Sequence, residues 1–554
     1  MPPPGHRRVN FGAGSRVVSL SMSDYKRGQG FYPPAAGNFK YQLPVLKLTI
    51  MKNGVLFQYF EWNLPADSQL WNQLARDASH LAEIGVSAVW IPPAYKGSGI
   101  EDVGYAVYDL YDFGEFDQKG TVPTKYGTRA ELENAIRALH ENGIEVILDT
   151  VLNHRMNGDA PERFMAQPVD SGDRLKDIGE PREIEAFTDF KFKGRGDKYS
   201  PFKWHWQHFA GVDYDNLTGD KCIFRIIGPG KGWSQGVDKE NGNYDYLMGN
   251  DVDVNNPEVA DELLNWGRWT LDSFGFDGFR MDAVKHIDNP FTKRFLEEMR
   301  GHTGRDLYYV SEYWSKDPEA LGGFIEATGG VTDLFDVPLH FNFFDAAQQG
   351  DKYDMRHLLD GSLAQSDATH AVTFVDNHDS QPGGGLASNV DDWFKPLAYG
   401  LILLMREGYP VIFYGDYYSV SRKAHDGDAD DKVETDNAGD ELVRDASPHR
   451  RIIDLLLEAR RRFAFGDQTL VFDHPNTVAL ARHGDAEHPG SGLVLLLANG
   501  DAGTKHICLG KEHAGETWRE FTGSIHDTLT LDADGCADFR VDGRNLAVWV
   551  PADA

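Results

Sequence analysis

From Gly54 onward, apolar positions recur along the chain in two alternating rhythms. In SQLWNQLARDASHLAEIG a spacing of three to four residues puts Leu70, Leu74, Leu81 and Ile84 on one helix face; Gly85 ends the run and the short apolar strand SAVWIPP follows. TRAELENAIRALHENG opens with Thr128 and Glu131 in capping-box spacing, stops at Gly143 and yields to EVILDTV. Asn256 and Pro257 stand as cap and first position of VADELLNWGRWTLDSFG, which stops at Gly275 and yields to GFRMDAV. Counting GVLFQYF, AVWIPP, EVILDTV, GFRMDAV, YYVSEYW, LFDVPL, AVTFVDNHD and VIFYGD gives eight strands, the number that closes a (β/α)8 TIM barrel. An open doubly wound sheet would want a glycine-rich phosphate turn after its first strand, and GVLFQYFEW has none.

The alternation fails in three places, which predicts the domain plan. Residues 1–50 mix Pro, Gly and Arg without periodicity and read as a poorly ordered extension. The barrel then occupies 51–153 and 257–465, and residues 154–256, rich in Gly, Asp and aromatics, are too long for a loop and form an inserted β-rich domain after strand three. From 466 to 554 short segments such as LVLLLANG and LAVWVP, separated by Gly and Asp, read as a C-terminal antiparallel β-sandwich. The stretch AHDGDADDKVETDNAGDEL reads as a solvated acidic loop.

Composition narrows the partners. Lys and Arg total 55 against 86 Asp and Glu, a formal charge of −31 that repels nucleic acid and anionic lipid. Three cysteines, Cys222, Cys508 and Cys536, are too few and scattered for a disulfide framework and lack CxxC spacing, so a reducing compartment is expected. The first fifty residues lack a secretory apolar core, and no run of about 18 apolar residues occurs to span a bilayer. Arg7, Arg8 and Arg16 precede the first acid, Asp24, in a manner weakly like a transit peptide, but a tail is the simpler reading. A cytoplasmic monomer is expected.

Barrel enzymes do their chemistry at the C-terminal ends of the strands, and polar residues gather there. Strand three ends in Asp149 with Asn153 and His154 beyond; strand four carries Arg280 and Asp282; strand five ends in Glu312; strand seven ends in Asp376, His378 and Asp379. A single strand-end acid caps a helix about as readily as it catalyses, but four such ends share one mouth. Acids in excess of cations suit a neutral substrate that becomes positive at the transition state, as in glycoside cleavage. Arg280 is then expected to pair with Asp282 and keep it ionised as nucleophile. Glu312, beside Tyr313 and Trp314, is expected to hold its proton and act as the acid, with Asp379 gripping sugar hydroxyls.

DTVLNH, GFRMDAVKH, SEYW and FVDNHD together resemble the four signature regions of the α-amylase family of retaining glycoside hydrolases. NGNYDYLM and FKWHWQHF resemble its liquefying bacterial and intracellular fungal types. The resemblance implies Asp282 as nucleophile, Glu312 as acid/base and Asp379 as transition-state stabiliser. It implies Tyr105, His154, Arg280, Lys285, His286 and His378 as substrate contacts, and Trp314 joins that set as the ring beside the acid. Trp204 and Trp206 are expected in the inserted domain's core. One Ca²⁺ is implied, held by Asn153, Asp245, Asp251 and the backbone carbonyl of His286, with Asp253 nearby. Pro201 and Ser234 stand where some relatives place acidic ligands of a further metal cluster, so one ion is expected. The expected activity is endo-hydrolysis of α-1,4-glucan, starch or glycogen. The rivals are a transglycosylase with the same covalent intermediate and a noncatalytic glucan-binding protein.

Overall fold

The computed structural model describes residues 53–420 and 447–553. The expected N-terminal extension with its arginines and the acidic stretch from Ala424 to Leu442 lie outside these residues. Eight parallel strands close a barrel: β1 (Leu56–Gln58), β2 (Ala88–Ile91), β3 (Glu145–Thr150), β4 (Gly278–Met281), β5 (Tyr308–Ser311), β6 (Asp333–Phe335), β7 (Ala371–Thr373) and β8 (Tyr409–Phe413), with β8 returning to pair β1. Each strand faces packed side chains inside and helices outside. This explains why their sequences are runs of apolar residues with no polar alternation.

The helix signals act as expected at the ends of α1 (Leu70–Ile84), α2 (Arg129–Glu141) and α3 (Pro257–Phe274). Gly85 and Gly275 take left-handed conformations at φ 94° and 73°. Thr128 and Glu131 form the reciprocal capping box, and the Asn256 side chain accepts the Glu258 N–H. LFDVPL, read as one strand, is corrected to two elements: β6 ends at Phe335, and Asp336 caps the helix Val337–Gln349 by accepting the Leu339 N–H at 3.2 Å. An Asp followed by a proline in the next turn is a helix start, and the flanking apolar residues masked it.

Between β3 and α3 lies a six-stranded antiparallel sheet, in the order His154–Arg155, Asn250–Val252, Phe209–Asp215, Asp220–Ile226, Ala160–Val169, Arg182–Asp189. Its first short strand continues directly from the barrel strand end. His154 and the residues beside it are therefore shared by barrel and insert.

The C-terminal region is a six-stranded sheet facing a two-stranded pair, Gly503–Cys508 and Cys536–Val541. Val494, Leu496, Trp518, Phe539 and Trp549 fill the space between. The alternate residues Leu495, Leu497, Leu546 and Val548 join the barrel's own core. LVLLLA is apolar throughout because both its faces are covered. Cys508 and Cys536 are register partners on the two-stranded pair and form a disulfide. This corrects the sequence reading: 28 residues of separation hid a pairing that strand register creates. Cys222 is free, and no described helix is long and apolar enough to cross a membrane.

Candidate active site

The centre of the site is where β4 ends. Asp282 follows Met281, and Ala283 then adopts φ 51°, a left-handed conformation that disfavours any side chain and stores roughly 1–3 kcal/mol of strain. The kink aims the backbone at β5: Ala283 N–H donates to Glu312 Oε2 at 2.9 Å and Val284 N–H to the Glu312 carbonyl at 3.1 Å. Asp282 N–H donates to the Thr150 carbonyl at 3.0 Å, so strands three, four and five are joined at their ends.

Arg280 lies buried beneath this junction. Its Nη1 donates to Asp149 at 2.9 and 3.1 Å and to Asp282 Oδ1 at 2.6 Å, and Nη2 pairs with Glu312 Oε2 at 3.0 Å. One guanidinium therefore spans the two carboxylates that flank the proposed reaction. Asp149 is filled from the other side by Trp90 Nε1 at 3.0 Å and the Tyr105 hydroxyl at 2.8 Å. Burial pushes Asp149 up to about 7, against the opposing pull of Arg280.

Glu312 is pushed up to about 8, by burial first and then by the charges of Asp282 and Asp379, while Arg280 and the Ala283 N–H act the other way. The expected cause was the neighbouring rings, and that is corrected: Tyr313 turns away, its hydroxyl donating to Asp238, and Trp314 contributes as part of the cleft wall. Asp379 is also raised by burial.

Apart from Arg280, every residue assigned from sequence to catalysis or substrate lines one cleft of about 630 Å³, a size suited to several linked small rings. Tyr105 and His378 stack at 5.1 Å and 6° between planes, and Trp62 lies nearly parallel to both at 6.0 Å. Gln58 Nε2 donates to His378 Nδ1 at 3.0 Å, which leaves the proton on Nε2, 3.5 Å from Asp379. His154 donates through Nε2 to the Tyr105 carbonyl at 2.8 Å, and burial lowers the pKa of both histidines.

On the other side of the cleft Lys285 pairs with Glu240 of the insert, and His286 Nδ1 donates to the Tyr244 carbonyl at 2.7 Å. Burial holds His286 down at about 4, so the ring is neutral. Trp62, Glu240 and Phe341 line the cleft without having been assigned from sequence. Trp62 was findable, because it follows the end of the first strand. Trp204 packs on Phe209 and Trp206 on Phe164, within the insert and away from the cleft.

A second acidic group sits where the insert meets the barrel. Asp251 pairs with His154 across the short antiparallel strands, and Val252 N–H donates to the Asn153 carbonyl at 2.9 Å. Asp245 is raised to about 7, by burial first and then by the charges of Asp253 and Asp288, and Asp251 is raised strongly, by burial first and then by Asp245 and Asp253. Asp251 Oδ2 is buried with no hydrogen-bond partner among the described residues. Asp253 is already satisfied by Lys231 Nζ at 2.7 Å. Two buried carboxylates that repel each other, one with an orphan oxygen, beside an asparagine, fit an oxygen-seeking cation.

The family model for the alpha amylase catalytic domain matches residues 75–454. The chain is 45% identical over 499 residues to the glucan 1,4-alpha-maltohexaosidase of Bacillus sp. (strain 707), covering 90% of this chain and 92% of that one. It is 43% identical over 503 residues to the cytoplasmic alpha-amylase of Escherichia coli (strain K12), covering 90% and 99%. Its fold matches the crystal structure of alpha-amylase from Geobacillus thermoleovorans complexed with acarbose at TM-score 0.59 and 19% identity, over 90% of this chain and 98% of that one.

Proposed function

The chain belongs to the α-amylase family of glycoside hydrolases, and on that premise we propose that it is an α-amylase cleaving internal α-1,4-glucosidic bonds with retention of configuration. The observation that carries this reading is the shared guanidinium. Arg280 donates to Asp282 and pairs with Glu312 at once, while burial beside two other acids raises Glu312 to about 8, which favours a proton there at neutral pH.

The steps follow from which groups hold charge and which hold protons. Asp282 attacks the anomeric carbon as Glu312 passes its proton to the departing sugar oxygen, leaving a covalent glycosyl ester on Asp282 and a Glu312 carboxylate. Water then gives a proton to Glu312 and attacks the same carbon, which breaks the ester and restores the original configuration. Asp379 and the Nε2–H of His378 hold ring hydroxyls, and the stacked Tyr105 and Trp62 offer apolar faces to the sugar bound ahead of the cleaved bond. Lys285, His286 and Trp314 serve the leaving-group side.

Calcium is assigned to Asn153, Asp245, Asp251 and the His286 carbonyl. When bound it supplies positive charge that ties the insert to the barrel beside the cleft, and it takes no part in the bond-breaking steps. The working unit is a single chain acting on an α-glucan, since one chain supplies every cleft residue. The barrel is assigned to 51–153 and 257–465, the calcium-associated insert to 154–256 and the C-terminal domain to 466–554. A cytoplasmic location is assigned, as the printed name of the Escherichia coli relative states for that protein; a reducing cytosol would open the Cys508–Cys536 disulfide to two thiols, so alkylation of both cysteines in intact cells tests it.

Asp282→Asn is the direct test of mechanism. It should lower turnover of soluble starch by at least ~10⁴-fold, since no other group can form the ester, while leaving glucan binding largely intact. Near-normal turnover would refute the assignment.

A further inference from the structure

We propose that Lys395 is a positioning residue for Asp379, acting through a buried charge triad with Asp376 and Asp416. The inference rests on the reading that Asp379 works on the substrate. Lys395 opens the helix Lys395–Leu404, Asp376 lies just beyond β7, and Asp416 just beyond β8. All three are buried, and none lines the cleft.

The connection to Asp379 is continuous. Asp376 Oδ2 pairs with Lys395 Nζ at 3.0 Å, and Lys395 Nζ also donates to Asp416, whose second oxygen accepts the Tyr399 hydroxyl at 2.8 Å. Asp376 Oδ1 accepts the Ser380 hydroxyl at 2.9 Å. Ser380 Oγ accepts the Asn377 N–H at 3.0 Å, and Asn377 Oδ1 accepts the N–H groups of Asp379 and Ser380 at 2.9 and 2.8 Å. Val390 N–H returns to Asp376 at 3.2–3.3 Å, so one carboxylate fastens both ends of the segment from 376 to 390. That segment carries three cleft-lining side chains, His378, Asp379 and Leu386.

Its tip is Gly383-Gly384-Gly385, which has little stiffness of its own, so the anchoring must come from its base. Lys395 is what allows that base to be anionic. Two buried carboxylates side by side cannot both stay ionised without a cation between them. With the ammonium gone, one acid takes a proton and an acceptor that holds the segment is lost. The burial and the Asp416 charge that already push Asp376 up to about 7 are in keeping with that balance.

The experiment compares Lys395→Met, Lys395→Arg and the double variant Lys395→Met/Asp416→Asn in the full chain. Displacing a catalytic group by about an ångström costs on the order of 10²-fold. Lys395→Met should therefore lower kcat about 100-fold, with KM for maltooligosaccharides changed less than about threefold. Lys395→Arg should restore most of kcat. The double variant removes one of the two acids along with the cation, so Asp376 no longer faces the Asp416 charge, and it should recover about tenfold over Lys395→Met. Unchanged kcat in folded Lys395→Met, or a double variant no better than the single, overturns the proposal.

Should Lys395→Met fail to fold, Ser380→Ala leaves the triad in place and cuts its link to the turn. A fall in kcat of about tenfold at unchanged Tm supports the proposal, and wild-type kcat overturns it. Asp379→Asn run alongside separates the two readings: if it stays active the site assignment fails, and if it is dead while Lys395→Met is normal only this inference fails.

Discussion

Two buried groups of acids stand close together in this molecule, and they are balanced in opposite ways. At the barrel mouth Asp282, Glu312 and Asp149 surround Arg280, a cation supplied by the chain, and burial with the neighbouring acids raises Glu312 to about 8, which favours a proton there. At the edge of the insert the charges of Asp245 and Asp253 raise Asp251 further, and the cation that opposes them, Lys231, is paired with Asp253. The first group sorts its own protonation and can do acid/base chemistry. The second is left wanting a positive charge from outside, which is what a structural metal site requires. The same residue type, equally buried, is suited to acid/base chemistry or to holding a cation according to whether an arginine stands inside the cluster.

The strongest way to break this contrast is to make the first cluster resemble the second. Arg280→Met removes the internal cation and leaves three acids facing one another. The loss of kcat/KM should reach about 10³-fold, since Asp282, Glu312 and Tyr105, through Asp149, all lose their common anchor. Removing one partner from buried ion pairs should also lower stability by about 3–5 kcal/mol. Starch assays with thermal denaturation measure both, and a folded variant with wild-type kcat/KM would mean that the arginine does not organise the site.

Removing the outside charge from the second cluster should have a smaller effect. A strong chelator should lower Tm and activity together. An ion held at 100 times its Kd contributes about 2.7 kcal/mol to the folded state. Asp251→Asn should blunt the response, because it removes one of the two repelling charges that the ion offsets. Indifference of Tm to the chelator would withdraw the calcium assignment and leave Asp245 and Asp251 to be neutralised by protons.

How much of this the sequence carried depends on the range of the interaction. The eight strands, their helix caps and the acids at the strand ends follow local periodicity and spacing, so Asp282, Glu312 and Asp379 could be picked out residue by residue. The boundary inside LFDVPL was local too, but two local signals competed and the apolar one was followed. What was missed depends on contacts between distant segments. The raised pKa of Glu312 was expected, but from the adjacent rings; its cause is burial together with Asp282 and Asp379. The Cys508–Cys536 pairing depends on strand register, and the satisfaction of Asp253 by Lys231 depends on how the insert folds back. Composition and spacing hold no trace of either.

The most delicate probe is the proton that distinguishes the two clusters. Glu312 sits at about 8 in the folded protein against 4.5 for an ordinary glutamic acid. As general acid it works only when protonated, so kcat/KM should fall above about pH 8, by roughly tenfold per pH unit. Stability must move with it. The folded state keeps a proton that the unfolded chain releases, so between pH 4.5 and about 8 the folded form loses stability as pH rises, and above that the effect is constant. Glu312→Gln, which needs no proton to stay neutral, should therefore gain stability over the wild type as pH rises through that window and show no further gain beyond it. Tm measured for both proteins from pH 4 to 9 reads this directly. A constant difference across the range, or an alkaline limb already falling by pH 6, would mean that Glu312 is ionised in the resting enzyme and that Arg280 outweighs burial.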